Sequence, residues 1–326
     1  MAKSRKTRWT RKHLLGLEDM TAEEILTVLD LADGYLPCVT HRRPCPPALK
    51  GRTVLNLFCE DSTRTRTSFT FAAERLGARV FQFHATTSSL NKKESLVDTA
   101  RNIEAMGLDA IVIRHQERNA PHRLAEAVEC SVLSAGDDAH EHPTQALLDM
   151  LTIRRKIGRI EGLTLALVGD VRHSRVARSN LFGLSKFGNR VIFVGPQLFL
   201  RDLDVKVETS ADFDSVLPEC DAVMMLRVQF ERHESLAFDI DDYIRGYQLT
   251  PARLAKARPG AIVLHPGPVN RGVELSNEVA DGPQSVILFQ TTCGVAVRMA
   301  ALELCIGALD AERKAAAGKS GKGKRR

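Results

Sequence analysis

Short apolar runs alternate with helical patterns along this chain, and that alternation constrains its fold more than any other feature. The runs that are short and apolar enough to be strands are 53–58, 79–83, 110–113, 132–134, 163–168, 190–194, 222–225, 261–264 and 286–289. The helical patterns between most of them include 22–33, 96–106, 145–156, 176–186 and 251–256. Because parallel strands need a crossover connection, the sequence predicts an α/β fold of mainly parallel sheets flanked by helices.

The alternation falls into two parts. A chain of 326 residues is long enough for two domains with sizeable cores. A long helical pattern near residue 150 is followed by a strand that opens a second unit. We therefore predict a first domain at 1–149 and a second at 150–291, with the helix as the link. A C-terminal helix at about 292–313 is expected to pack back on the first domain, ahead of a basic flexible tail at 314–326.

The net charge of +6 is concentrated at the two ends of the chain. Residues 1–13 carry six Lys or Arg and no acid, and residues 319–326 carry five and no acid. Without those eleven charges, the body at 14–318 stands at −5. An acidic body with 5% aromatic residues lacks the basic, aromatic surface of a nucleic-acid binder. We expect solvated ends, the alternatives being contact with RNA, an acidic partner or a membrane surface.

The cysteines and the N-terminal residues indicate the cellular compartment of the protein. The seven cysteines are scattered, odd in number and without a Cys-x-x-Cys pair, which argues against a disulfide framework or a zinc site. Acidic residues from Glu18 onward follow the basic N-terminus too soon for a secretory leader. We expect no apolar stretch of the sequence to be long enough to span a membrane. We therefore expect a soluble, cytoplasmic protein with no membrane partner.

Residues 62–66, with the sequence Ser-Thr-Arg-Thr-Arg, lie between the predicted strand at 53–58 and a helical pattern that stops near Gly77. Hydroxyls, guanidinium groups and the free backbone N–H groups of a helix start therefore gather at one point. Such amides and the positive end of the helix dipole attract an anion, and Arg binds its oxygens in pairs. The segment indicates a phosphate site, although a solvated basic turn is the alternative.

Polar loops follow other predicted strands, at the sheet edge where α/β proteins bind ligands. They contain Arg114-His115, His142-Pro143-Thr144-Gln145, the segment 169–175, Arg227-Val228-Gln229 and His265-Pro266-Gly267-Pro268. Any one of them can be an ordinary connection, and His142 a capping or packing histidine, but several Arg or His loops on one edge favour a binding site. The loop at Gly169 lacks the G-x-G-x-x-G pattern of dinucleotide binding, and His140 and His142 lack the spacing of a metal site. We expect no cofactor and no metal.

Together these segments resemble the transcarbamoylases, and among them the catalytic chains of bacterial-type aspartate carbamoyltransferases. Residues 58–69 are similar to the carbamoyl-phosphate loop of that family. Further similar segments follow in the expected order, namely residues 88–92, Arg114-His115, His142–Gln145, His173-Ser174-Arg175, Arg227-Val228-Gln229 and His265–Pro268. The resemblance covers roughly residues 13–310 and implies the transcarbamoylase fold, in which the first domain binds carbamoyl phosphate and the second binds aspartate.

Charge helps to choose the acceptor within the family. Ornithine transferases resemble one another in a His-Cys-Leu-Pro loop and a His-Pro-Cys-Gln segment, where this chain has His-Pro-Gly-Pro from His265 and His-Pro-Thr-Gln from His142. Arg175 and Arg227 suit a dianionic amino acid, because each can bind a carboxylate bidentately. The resemblance thus implies transfer of the carbamoyl group of carbamoyl phosphate to L-aspartate. The products would be N-carbamoyl-L-aspartate and phosphate, in an early step of de novo pyrimidine biosynthesis.

The resemblance also implies roles for residues at the phosphate. Ser62, Thr63, Arg64 and Thr65 would hold it by helix-start amides, hydroxyls and one guanidinium group. Arg114 would reach both a phosphate oxygen and the carbonyl oxygen. Arg64, Thr65 and Arg114 would thereby belong to the catalytic residues.

The carbamoyl group would have its own contacts. His142, together with Thr65 and Arg114, would polarise the carbonyl and stabilise the oxyanion of the tetrahedral intermediate, and would also be catalytic. Gln145 would bind the carbamoyl NH2 group, together with backbone carbonyls near Pro266 and Gly267. Arg175, Arg227 and Gln229 would hold the aspartate carboxylates.

One loop would come from a neighbouring subunit, so the resemblance implies a homotrimer with shared sites. That loop would supply Ser89 and the catalytic, aspartate-binding Lys92. Family members commonly have Lys-Gly-Glu where this chain has Lys92-Lys93-Glu94, so Lys93 is the alternative to Lys92. A larger assembly, in which the trimer associates with regulatory chains or a dihydroorotase, is a further alternative. Glu60 is expected to brace the arginines of the loop at 62–66 by an ion pair, the alternative being a catalytic base. A non-catalytic scaffold or a nucleic-acid binder is the rival to an enzyme.

Overall fold

The computed structural model describes residues 9–84, 93–229 and 239–323. The chain forms two compact units, of which the first comprises Met1–Thr144 with Gly294–Arg326 and the second Gln145–Cys293. Each unit contains one parallel sheet with helices beside it. The predicted fold class, two domains that are each a mainly parallel sheet flanked by helices, is confirmed.

The first unit has a four-stranded sheet. Its strands are β1 (Thr53–Phe58), β2 (Arg79–His84), β3 (Ala110–His115) and β4 (Ser131–Asp137). They pair in parallel in the order β2-β1-β3-β4, with β1 and β3 in the middle. Five of the six residues of β1 are buried, as expected for a strand covered on both faces. The carboxyl ends of all four strands therefore lie at one edge.

Helices cover this sheet and supply most of its apolar contacts. They are α1 (Ala22–Thr40), α2 (Thr63–Arg75), α3 (Leu96–Glu104), α4 (Ala120–Ala127) and the last helix of the chain, α12 (Ile287–Gly323), which belongs to this unit from Gly294 onward. Leu55 and Ile111 from the strands pack in one core cluster with Ala100 of α3 and Leu124 of α4. α5 (Pro143–Ile157) begins at the end of the first unit and continues into the second.

The second unit has a five-stranded parallel sheet in the order β7-β6-β5-β8-β9. Its strands are β5 (Thr164–Val168), β6 (Arg190–Val194), β7 (Glu208–Ser210), β8 (Ala222–Met225) and β9 (Ile262–Leu264). Its helices are α6 (Arg175–Ser185), α7 (Gln197–Leu200), α8 (Phe213–Val216), a 3₁₀ turn at Leu217–Glu219, α9 (Ile240–Tyr247), α10 (Pro251–Leu254) and α11 (Asn277–Ala280). The core lies between β5, β6, β8 and β9 and the helices, with Val168, Val194, Met225 and Val263 among its buried residues.

The strand predicted at 286–289 is wrong. The backbone pairs with β9 only briefly, because Val263 N–H donates to the Gln284 carbonyl at 2.8 Å and Val286 N–H donates to the Val263 carbonyl at 2.9 Å. α12 then begins at Ile287. A run of four apolar residues fits a buried strand and a helix turn equally well, so its period could not distinguish them.

α12 is long and apolar enough, by length and composition alone, to cross a membrane over Ile287–Ala317. The mean hydropathy of its most apolar window is 1.6, and 78% of that window is buried inside the protein, as in a core helix. The expectation that no apolar stretch has this length is therefore wrong. Arg298 and Glu303 interrupt the apolar residues of α12, so the sequence contains no unbroken apolar run of this length.

Ion pairs attach α12 to the first unit. Arg52, directly before β1, donates to Asp310 at 2.7 Å and to Asp109 at 3.1 Å. Arg313 also donates to Asp109, at 3.3 Å. Asp109 further accepts a hydrogen bond from the backbone N–H of Thr53 at 2.9 Å. This network joins the beginning of β1 to the C-terminal helix.

The start of α1 is a capping box that also binds the N-terminal segment. The Thr21 hydroxyl accepts from Glu24 N–H at 3.2 Å, and the Glu24 carboxylate accepts from Thr21 N–H at 2.8 Å. Arg11 Nε donates to the same carboxylate at 2.7 Å. Burial raises the pKa of Glu24, but the hydrogen bonds from Arg11 and Thr21 outweigh it and hold the pKa below its ordinary value of 4.5. An ionised Glu24 therefore stabilises this end of the helix.

We predict that Glu24→Gln lowers the free energy of unfolding by about 1 kcal/mol at neutral pH, measured by urea titration. A carboxyl whose native pKa is depressed contributes stability above its unfolded pKa and loses it as the pH falls through the native pKa. The difference from the wild type should therefore shrink on acidification below 4.5, within the range where the protein stays folded. Glu23→Gln, exposed in the same turn, is the control and should change stability by less than about 0.5 kcal/mol. Equal losses for the two variants would contradict this role of Glu24.

Candidate active site

The beginning of α2 is prepared for an anion. Ser62 is its N-cap, and its hydroxyl makes no capping hydrogen bond within the described structure. The first turn contains no acidic residue that could occupy the free amides. Thr63 and Arg64 are exposed, whereas Thr65 is buried. The helix start, two hydroxyls and a guanidinium group thus adjoin, as the sequence predicts for a phosphate site.

Arg114 is held beside this loop by the sheet and by an ion pair. Phe58 at the end of β1 is in register with Arg114, and the next N–H, of Cys59, donates to the Arg114 carbonyl at 2.9 Å. Arg114 Nε lies 3.0 Å from the Glu60 carboxylate, with both side chains mostly buried. Glu60 therefore braces Arg114 of β3, whereas the expected partners were the arginines of its own loop at 62–66. Such a pair fixes the plane of the guanidinium group.

The charge at this edge of the first unit comes from its arginines. Burial lowers the pKa of His115, whose Nδ1 accepts a hydrogen bond from Glu117 N–H at 3.0 Å, so its imidazole is neutral at pH 7. Burial also raises the pKa of Cys59 to about 11, so its thiol keeps its proton. Desolvation lowers the pKa of Arg64, but a guanidinium remains charged at any physiological pH.

Glu141 positions the loop that carries His142, and the sequence analysis did not identify it. Its buried carboxylate accepts hydrogen bonds from Leu17 N–H at 2.9 and 3.0 Å and from Glu18 N–H at 3.2 Å. A Cβ on Gly16 would lie 2.3 Å from the same carboxylate, so only glycine fits there. His142 follows directly and is 3% exposed. A glutamate beside His142 was a visible signal, but its backbone partners lie more than 120 residues away.

Gln145 is oriented by a buried carboxylate that the sequence analysis also missed. Its Nε2 donates to Asp149 at 3.0 Å, one turn later on α5. Asp149 is fully buried and also accepts from Gln290 at 2.7 Å and from Asn180 at 2.8 Å. Because a carboxylate only accepts, the amide nitrogen of Gln145 must face Asp149. Its oxygen therefore points the other way, as an acceptor suited to an NH2 group.

The residues predicted for aspartate come after two adjacent strands of the second unit, β5 and β8. Arg175 is the first residue of α6, after β5, and Arg227 and Gln229 follow β8. Gln229 Nε2 donates to the carbonyl of His173 at 3.0 Å, which ties the two loops together. Gly169 makes this approach possible, because a Cβ there would lie 2.9 Å from the Leu226 carbonyl. The three side chains are half-buried.

The loop after β9 carries Pro266 and Gly267. The preceding His265 is buried, its N–H donates to Gln290 at 2.9 Å, and its Nδ1 accepts from Gly267 N–H at 2.8 Å. Gly267 has a φ of 68°, in the left-handed region that favours glycine, and the Gly267–Pro268 peptide bond is cis. β9 is the neighbour of β8, so this loop emerges beside that of Arg227.

The structure thus brings the predicted residues together within each unit. In the first, residues 62–65 follow β1, Arg114 lies near the end of the adjacent β3, and His142 follows β4 beside it. In the second, Arg175, Arg227 with Gln229, and Pro266 with Gly267 follow the adjacent strands β5, β8 and β9, while Gln145 begins that unit. Ser89 and Lys92 lie outside the described residues. Lys93 is described, and its φ is 67°.

Comparison with known proteins gives two family matches. Residues 12–155 match the carbamoyl-phosphate-binding domain of the aspartate/ornithine carbamoyltransferases, and residues 161–305 match their aspartate/ornithine-binding domain. The chain is 52% identical to the aspartate carbamoyltransferase catalytic subunit of Gluconobacter oxydans, over 90% of this chain and 95% of that one. It is also 52% identical to the catalytic subunit of Geobacter sulfurreducens, over 89% and 95%.

Solved structures give the same result. Aspartate transcarbamoylase from Trypanosoma cruzi, in complex with carbamoyl phosphate and aspartate, matches with a TM-score of 0.81 and 32% identity, over 90% of this chain and 95% of that one. Ornithine carbamoyltransferase from Pyrococcus furiosus also matches with a TM-score of 0.81, at 29% identity over 91% and 97%. The predicted transcarbamoylase fold is confirmed, and the chain belongs to the aspartate/ornithine carbamoyltransferase family.

Proposed function

We propose that this chain is the catalytic chain of an aspartate carbamoyltransferase. It transfers the carbamoyl group of carbamoyl phosphate to the amine of L-aspartate, giving N-carbamoyl-L-aspartate and phosphate at an early step of de novo pyrimidine biosynthesis. The observation that carries this choice is that Arg175 and Arg227 come after the adjacent strands β5 and β8, in segments linked by the hydrogen bond from Gln229 to the His173 carbonyl. Two guanidinium groups match the two carboxylates of aspartate. The names of the relatives at 52% identity support the same acceptor.

In this reaction the first unit prepares the electrophile. The start of α2 and Arg64 bind the phosphate, while Arg114 and His142 polarise the carbonyl and stabilise the oxyanion. Donors that are fixed before the charge develops need little reorganisation, and each is worth about 3 kcal/mol in such sites. Glu60 and Glu141 act through others, since they hold Arg114 and the loop of His142 in place.

The second unit binds the acceptor and one end of the carbamoyl group. Arg175, Arg227 and Gln229 hold the aspartate carboxylates and direct its amine towards the carbonyl carbon. The oxygen of Gln145, turned away from Asp149, accepts from the carbamoyl NH2 group. Phosphate then leaves from the tetrahedral intermediate. The rate acceleration comes from positioning and electrostatics, for which the side chains of the protein suffice.

The function is tested by incubating the purified chain with carbamoyl phosphate and one of three acceptors: L-aspartate, L-ornithine or N-acetylated ornithine. We expect carbamoyl-aspartate to be the main product. Folded protein that forms no product would favour the scaffold alternative, and a preference for either ornithine would overturn the assignment of the acceptor.

The arginines provide the sharper part of this test. Arg175→Ala and Arg227→Ala should each raise the KM for aspartate about 10- to 100-fold, because each removes a charge-assisted hydrogen bond worth about 1.5–3 kcal/mol. The KM for carbamoyl phosphate should change little. Arg172→Ala is the matched control, because Arg172 lies in the loop of Arg175 but pairs with Asp202 at 3.4 Å. A KM for aspartate that rises equally in all three variants would refute the proposed roles.

We further propose Lys92 as the catalytic lysine. Lys93 has a left-handed φ, a conformation in which L side chains are strained and glycine is not, which supports matching Lys93 to the glycine of the family's Lys-Gly-Glu step. Lys92→Ala should therefore lose most of the activity. Lys93→Gly should keep it and raise the free energy of unfolding by up to about 1 kcal/mol. Activity lost in Lys93→Gly and kept in Lys92→Ala would reverse the assignment.

We propose a cytoplasmic homotrimer, in which a neighbouring subunit supplies the loop of Ser89 and Lys92. Two features support an interface on the first unit: β2 is an edge strand, and the large apolar side chains Phe81 and Phe71 are 57% and 52% exposed on β2 and α2. The seven free cysteines suit a reducing compartment.

The trimer predicts a native mass of about 108 kDa, three times the 36.0 kDa of the chain, by mass spectrometry. Phe81→Asp should dissociate it and abolish activity, because the sites would lose their shared loop. Met106→Asp, at a residue that is 82% exposed outside these elements, is the control and should leave the mass unchanged. A single-chain mass for the active wild type would contradict the trimer, and an unchanged mass for Phe81→Asp would contradict this interface.

A further inference from the structure

Three side chains in the first unit converge in a way that the proposed reaction does not use. His122 lies on α4, Asp137 is the last residue of β4, and His140 lies in the loop that follows. Each offers one possible ligand atom, and the three atoms all lie within 4.8 Å of one another. Among the described residues, no other group of three His, Cys, Asp or Glu side chains meets this condition.

Asp137 is a preformed ligand. It is 1% exposed, and the backbone N–H groups of Asn119 and Glu141 donate to its two oxygens at 2.7 and 3.2 Å. These hydrogen bonds fix the direction of the carboxylate, which is how outer hydrogen bonds prepare a metal ligand.

The two imidazoles complete the arrangement. His140 Nδ1 lies 3.2 Å from the Asp137 carboxylate. His122 Nδ1 is buried and has no hydrogen-bond partner in the described parts of the chain. A buried ring nitrogen without a partner is uncommon, because its desolvation is not compensated. A bound ion would account for it, whereas a simple Asp137–His140 pair leaves His122 unexplained.

We propose that His122, Asp137 and His140 form a binding site for a divalent transition-metal ion, with Zn²⁺ as the best fit. In a tetrahedral zinc site with bonds near 2.0–2.1 Å, neighbouring ligand atoms lie about 3.3 Å apart. The Asp137 oxygen and His140 Nδ1, 3.2 Å apart, already have this separation. Rotation of the His122 ring can bring its nitrogen to the same distance from both, since the three ligand atoms now lie within 4.8 Å of one another. Two nitrogens and one oxygen favour zinc or its neighbours over Mg²⁺ and Ca²⁺, which prefer oxygen alone. Water would take the fourth position.

Binding requires only a change of tautomer. Because a carboxylate only accepts, the contact with Asp137 assigns the proton to His140 Nδ1; in the complex that proton would sit on Nε2, and Nδ1 would present its lone pair to the metal. The Asn119 N–H keeps its bond to the carboxylate. A cavity of about 250 Å³, lined by the N-terminal segment and His122, offers an entry path. The basic residue Arg11 in its wall is neutralised by Asp19 and Glu24.

Although water in the fourth position leaves this site more open than a structural zinc site with four protein ligands, the ion would add to stability. It would tie α4 to the end of β4 and to the loop at 138–141, whose last residue, Glu141, anchors the N-terminal segment. The sequence spacing predicts no metal because its ligands come from a helix, a strand end and a loop, with His122 fifteen residues before Asp137. Binding to the folded state alone should raise the thermal midpoint with metal concentration.

The test uses the full chain, stripped with a chelator and titrated with Zn²⁺ by calorimetry and with Co²⁺ by visible absorption. We expect one ion per chain and a rise in the thermal midpoint, with no competition from Mg²⁺. His122→Ala and His140→Ala should each weaken the affinity at least tenfold. His41→Ala, at an exposed histidine after α1, is the control and should bind as the wild type does.

Equal affinity in the wild type and both variants, or no binding by the wild type, would overturn the site. If circular dichroism shows that a variant is unfolded, the site is tested on the wild type alone, by chemical modification of its histidines. Zn²⁺ should then protect His122 and His140, but not His41, from diethyl pyrocarbonate, as mapped by mass spectrometry. Modification that proceeds equally with and without Zn²⁺ would also refute the proposal.

Discussion

Parallel pairing of the strands is the constraint on which the rest of the structure depends. Every strand of a parallel sheet ends at the same edge, so the loops after adjacent strands emerge side by side. The register aligns Phe58 with Arg114 and His115 with Asp137. Polar residues placed after those strands cannot move apart without breaking hydrogen bonds of a buried ladder. In each unit, the sheet thereby brings together groups that are distant in the sequence, which a single helix or strand could not do.

Buried carboxylates then refine the positions that the sheets provide. Glu141, Asp149 and Asp137 are at most 1% exposed, and each accepts hydrogen bonds from at least two donors. A buried carboxylate that loses its donors costs several kcal/mol, so it holds those donors as firmly as they hold it. This explains how a loop can present His142 with little freedom. The hydrogen bonds of Glu141 fix the backbone before His142, and α5 begins directly after it, so the histidine has little freedom to move.

The parts of this structure that could be predicted depend on residues close in sequence. Alternating periods located most strands, and strand ends located the polar loops, since both follow from local patterns. The run at 286–289 was misassigned because four apolar residues suit either period, and β7 was missed because it is a mostly exposed edge strand without an apolar pattern. Tertiary contacts produce no such local pattern in the sequence. The backbone partners of Glu141 and the meeting of His122 with Asp137 arise only once the sheet and the N-terminal segment are folded.

Acceptor choice in this family cannot depend on the fold, because an aspartate enzyme and an ornithine enzyme match this chain with the same TM-score of 0.81. It must depend on a few side chains at the sheet edge. A guanidinium group about 4 Å from the cationic end of ornithine would be disfavoured by about 4 kcal/mol at an effective dielectric constant near 20, and the same group attracts a carboxylate equally strongly. In the proposed assignment, Arg175 and Arg227 reject one acceptor by the charge that selects the other. A change of acceptor would then require replacing these charges, while the parallel sheets and the residues proposed to bind the electrophile in the first unit could stay as they are.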